Sequence, residues 1–70
     1  MLIWLDEKEY GELCHAIRNR NANRIPKSGY ILYKNHFYVY TFDYEEQKIF
    51  CVNKILIDGN EDYINTILGR

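Results

Sequence analysis

The sequence predicts a single α+β domain spanning residues 1–70. Its expected parts are an N-terminal helix, a three-stranded antiparallel β-meander and a short C-terminal helix. Three observations carry this. Apolar residues recur at helical spacing in Tyr10, Leu13, Cys14 and Ile17. Seven of the fifteen residues from Tyr30 to Tyr44 are aromatic, and they occupy both phases of a strand alternation. A second short apolar stripe, Tyr63, Ile64, Ile67 and Leu68, follows the turn-rich Asp58-Gly59-Asn60 and ends at Gly69.

The first helix has a start signal. Asp6 followed by Glu9 has capping-box spacing, and Leu5 and Tyr10 flank it as a hydrophobic staple. Glu7, Glu9 and Glu12 lie towards the start and Arg18 and Arg20 towards the end, as the helix dipole favours. Gly11 weakens the helix interior, and the asparagines at 19, 21 and 23 end it near Arg20. Met1 to Leu5 is a candidate fourth strand at the sheet edge.

Pro26 biases Ile25 to an extended backbone, and Ser28-Gly29 punctuates the chain before the sheet. Strands are expected over Tyr30 to Lys34 and Phe37 to Asp43, joined by a tight turn at Asn35-His36, because Asn tolerates the left-handed conformation. That turn pairs Tyr33 with Tyr38. After the polar Tyr44 to Gln47 segment, a third strand is expected from Lys48 to about Ile57. Asn53-Lys54 is a candidate bulge or second turn within it. A turn centred on Glu45-Glu46 sets Phe42 opposite Ile49 and Tyr40 opposite Cys51. Either Asp58 or Asn60 serves as cap for the last helix.

Alternation divides the sheet into two sets. Tyr30, Leu32, Phe37, Val39, Phe50 and Val52 are mostly aliphatic and read as core beneath the two helices. Ile31, Tyr33, Tyr38, Tyr40, Phe42, Ile49 and Cys51 are richer in tyrosine, whose apolar ring and polar tip suit a surface that is sometimes wet. Two apolar faces need two covers, so either one helix lies on each face or something else meets the second. Tyr33, Tyr38, Tyr40 and Phe42 are the candidate interface residues, with a second copy or another protein as partner.

Composition excludes several classes. Hydrophobic residues make up 47% and charged residues 27%, which argues against intrinsic disorder. A core of this size nets only about 3–5 kcal/mol, so a staple or a second subunit is welcome. The formal net charge of -1 gives no global pull towards nucleic acid or an anionic membrane. No run approaches the roughly 18 apolar residues of a membrane helix, and Met1 to Leu5 is too short for a signal-peptide core. The protein is expected in the cytoplasm, with Cys14 and Cys51 as free thiols.

The chemistry-bearing residues do not form an enzyme or metal motif. Cys14 and His15 are adjacent, and such neighbours do not face each other on a helix. Cys14, His15, His36 and Cys51 have zinc-ligand chemistry but none of the short knuckle spacings. The expectation is therefore no catalytic residues, no metal and no cofactor. The leading reading is a small non-enzymatic protein–protein interaction module, self-associating or binding another protein. The alternative is a single-stranded nucleic-acid binder. It would use the acid-free basic stretch Arg18, Arg20, Arg24 and Lys27 for phosphates and Tyr33, Tyr38 and Tyr40 for base stacking.

Overall fold

The computed structural model describes residues 2–22 and 24–69. The element order is α1 (Glu7–Arg20), β1 (Ser28–Tyr33), β2 (His36–Asp43), β3 (Lys48–Leu56) and α2 (Glu61–Leu68). The strands form one antiparallel sheet in the order β1-β2-β3, so the expected α+β meander is the observed one. No helix among the described residues is long and apolar enough to cross a membrane.

The Asp6 carboxylate caps α1 by accepting from the Glu9 N–H at 2.7 Å. Glu9 does not complete the box; its carboxylate turns to the sheet instead. At the other end Asn21 leaves the helical backbone, and both its N–H and its side-chain amide donate to the Ile17 carbonyl. The N-terminal segment forms no strand. It runs beside β3 and donates one backbone bond, from Ile3 to the Cys51 carbonyl at 2.8 Å.

The first hairpin turns at Lys34-Asn35 rather than Asn35-His36. Both residues have positive φ (46° and 62°), the pair of left-handed positions that matches strand twist. Asn35 therefore sits second in the turn, and Tyr33 pairs with His36 and Ile31 with Tyr38. This shifts the expected register by two residues. An even shift leaves every side chain on its expected face. The second hairpin has the expected register: Phe42 faces Ile49 and Tyr40 faces Cys51. The Asp43 carboxylate accepts from the N–H groups of Glu45 and Glu46 and holds this turn. β3 is one strand. Its pairing slips between Tyr40–Cys51 and Val39–Asn53, so Val52 is the extra residue of a bulge.

The two faces are filled in the reverse of the expected way. α1 lies on the tyrosine set. Leu13 and Ile17 join Ile25, Ile31, Tyr38, Tyr40, Phe42, Ile49 and Cys51 in the main core. Tyr38 and Tyr40 are each 2% exposed. The aliphatic set faces the other way and lies outside that core, where Phe37 and Ile64 of α2 are buried. α2 starts at Asn60, whose side chain gives no cap and donates instead to the Leu56 carbonyl. Asp58 accepts from the Asn35 side chain and caps nothing. Gly69 closes α2 in the left-handed conformation, as expected.

Two glycines give opposite tests of this packing. A Cβ on Gly29 would stand 2.8 Å from the hydroxyl oxygen and 3.1 Å from the ring of the buried Tyr40, its register partner. Gly29→Ala is expected to cost about 1–3 kcal/mol in urea unfolding. A Cβ on Gly11 meets nothing within 4 Å. Gly11→Ala is expected to stabilise by about 1 kcal/mol.

Candidate functional site

The expected interface residues belong to the interior. Tyr38, Tyr40 and Phe42 are buried under α1, and Tyr33 is half-buried at its margin. Tyrosine serves here as a core residue because its polar tip finds a partner at the helix–sheet seam. The Tyr38 hydroxyl donates to Glu9 Oε2 at 2.6 Å, and the same oxygen pairs with Lys54 Nζ. The Tyr10 hydroxyl donates to the Ile49 carbonyl. Stacking of bases on Tyr38 and Tyr40 needs open ring faces, which this packing removes.

Of the four cations of the basic stretch, Arg18 and Arg24 line one pocket with Asn21 and Tyr44, and Arg20 and Lys27 lie outside it. Arg20 reaches over the Tyr30 ring with its guanidinium 5.9 Å from the centroid, and Arg24 stands 5.2 Å over Tyr44. Arg18 lines a groove beside β3, and Lys27 is exposed at the entry to β1. The cysteines and histidines do not converge. His15 meets Asn19, and His36 Nδ1 lies 3.0 Å from the Lys34 carbonyl. Cys14 and Cys51 are free thiols. Among the described residues no three His, Cys, Asp or Glu side chains form a group that could hold a metal.

Exposed apolar residues gather on the side of the sheet away from α1, while Trp4 and Tyr44 are exposed on the α1 side. α2 starts beside the Lys34-Asn35 turn and covers the Phe37 end. At eight residues it is about 12 Å long and leaves the rest of that face open. There Tyr30 is 40% exposed, and Val39 and Phe50 are half-buried. Leu32 is 53% exposed along β1. Ile3 and Leu5 pack on the main core, while Leu2 and Trp4 line the groove between α1 and β3. Leu2 borders Thr41 and Phe50, and Trp4 is 92% exposed. α2 itself presents Tyr63 and Ile67, both exposed, beside its buried Ile64.

Sequence reasoning missed Leu2, Trp4, Tyr63 and Ile67 as surface. One signal was present. Tyr63/Ile67 and Ile64/Leu68 are two separate i, i+4 stripes, too wide for one narrow contact. Comparison of this chain with protein-family models, with curated proteins and with solved structures finds no match.

The helix–sheet seam makes stability depend on pH at both ends. Hydrogen bonds from Lys54 and Tyr38 hold the Glu9 carboxyl below its ordinary 4.5. The folded state then binds this proton more weakly than the unfolded chain, so the contribution is present above 4.5 and is lost as pH falls through the lowered value. Burial, then the bond to Glu9, raises the Tyr38 hydroxyl above its ordinary 10.0. Burial likewise raises Tyr10, Tyr40 and the Cys51 thiol. The folded state holds these protons more tightly, so stability falls as pH rises above about 9–10. Thermal melts followed by circular dichroism should show both limbs. Glu9→Gln should flatten the acid limb, and Tyr38→Phe should cost about 1–2 kcal/mol at neutral pH.

Proposed function

We propose that this chain is a non-enzymatic protein–protein interaction module that self-associates through the sheet face opposite α1. The observation that carries this reading is the open apolar surface of Leu2, Tyr30, Leu32 and Phe50 beside the exposed Tyr63 and Ile67 of α2. Aromatic side chains of this kind dominate the centres of protein interfaces.

The surface suits a second copy. Each chain offers a flat open half-sheet and, next to it, a convex Tyr63/Ile67 stripe. A two-fold axis seats the α2 stripe of each copy on the open half-sheet of the other, so both features are covered twice in one isologous interface. Charge fits the same arrangement. α2 opens with Glu61 and Asp62 and has no cation in its last turn, while Lys27 and Lys48 are exposed at the open end of the sheet.

Native mass spectrometry at low micromolar concentration is expected to give a dimer. Ile67→Asp removes the stripe and Leu32→Asp weakens the half-sheet. Both residues are exposed, so the fold is retained. Each variant alone should be monomeric, because both symmetry-related contacts are damaged. Mixing the two restores one contact and should return a heterodimer weaker than the parent. A monomeric parent, or dimers of both variants unchanged in strength, would overturn the reading.

A further inference from the structure

A second surface feature lies at the β3 edge on the α1 side, and Leu2, Trp4 and Phe50 form its rim. A groove of ≈ 690 Å³ runs between α1, β3 and the N-terminal segment. Its size is that of a small-molecule site. One wall is a single helical stripe, Tyr10, Cys14 and Arg18, at i, i+4 and i+8. The opposite wall is Ile49 and Cys51 of β3, and Ile3 and Leu5 of the N-terminal segment close the side.

Several polar groups in the walls are already engaged. The Tyr10 hydroxyl and the Ile49 carbonyl bond each other, and the Cys51 carbonyl accepts from Ile3. Arg18 is different. The ion pairs among the described residues are Lys34–Glu12 and Lys54–Glu9, so the Arg18 guanidinium has no carboxylate partner. Gln47 and Lys48 border the groove as well and add donors and positive charge beside it. Glu7 also lines the groove, about 16 Å from Arg18 along the helix axis at 1.5 Å per residue.

We infer that this groove binds an amphipathic monocarboxylate, with its headgroup on Arg18 and its aliphatic tail along Cys14 and Tyr10 towards Glu7. Charge complementarity sets the orientation. A guanidinium pairs with a carboxylate in bidentate fashion. Glu7 repels a second carboxylate at the tail, so dicarboxylates are disfavoured. Along the tail the walls are Ile3, Leu5, Cys14 and Tyr10, and the Tyr10 hydroxyl is already bonded. Cys14 is half-buried in the wall, so a bound tail shields it from reagents.

Isothermal titration calorimetry with sodium hexanoate, octanoate and decanoate, each below micellisation, tests this on the intact chain. Decanoate is expected to bind one per chain, with affinity rising about fourfold for each methylene added along the series. Decanol and decyltrimethylammonium should bind at least tenfold more weakly, and Arg18→Gln should weaken decanoate at least tenfold while leaving decanol unchanged. Decanoate should also slow alkylation of Cys14 by N-ethylmaleimide. Arg18 is exposed, and circular dichroism of the variant will show that the fold is retained. Absence of saturable binding overturns the inference. So does equal binding of decanoate and decanol, or decanoate binding that Arg18→Gln leaves unchanged. Binding that leaves Cys14 alkylation at its free rate means adsorption elsewhere and overturns it as well.

Discussion

The rest of the structure depends on α1 lying across the tyrosine face of the sheet. Leu13 and Ile17 supply the apolar contact, and both are fully buried. Burying tyrosine under a helix requires partners for the hydroxyls, since an unpaired polar group in the interior is costly. Glu9 meets this need for Tyr38 because the helix carries it to the seam, and Lys54 from β3 neutralises the carboxylate. Tyr10 reciprocates from the helix to the β3 backbone. Helix and sheet are thus joined by polar bonds at the margin of an apolar contact. These bonds fix the helix's orientation as well as its position.

That arrangement uses the longer helix on one face and leaves the other face to a helix of eight residues. α2 buries Phe37 and Ile64 and then runs out of length. The uncovered remainder is bounded by an N-terminal segment that contributes Leu2 and, among the described residues, makes a single backbone bond to the sheet. The imbalance between a six-to-nine-residue strand set and a two-turn helix is the physical origin of the apolar surface. It also leaves the exposed Tyr63 and Ile67 of α2 beside the uncovered part of the sheet.

The edges of the sheet differ for related reasons. At β3 the Val52 bulge, the Ile3 bond and Lys54 obstruct further strand pairing. The same features open the groove beside α1, because the N-terminal segment stands off from the helix once it is tied to β3 at one point. At β1 no charge lies within Ser28–Tyr33, and Arg20 folds across to the Tyr30 ring. The N-terminal segment lines the groove with all of Leu2, Ile3, Trp4 and Leu5, and Leu2 also borders Thr41 and Phe50.

Local chemistry was legible in the sequence wherever the deciding interaction was local. The Asp6 cap, the end of α1 near Arg20, the Gly69 stop and the three-strand order follow from capping, propensity and turn rules that act over a few residues. The division of side chains between two sheet faces was also legible, because a period of two survives a register shift of two. Which face becomes the core was not. Both faces are apolar by pattern, and the choice turned on whether buried tyrosine hydroxyls could find partners. Glu9 and Lys54 answer that, and they lie 45 residues apart and meet only when the helix docks. The Leu32 and Ile67 surface was hidden for the same reason: it is what remains after α1 has taken the tyrosine face, and only the tertiary packing decides that.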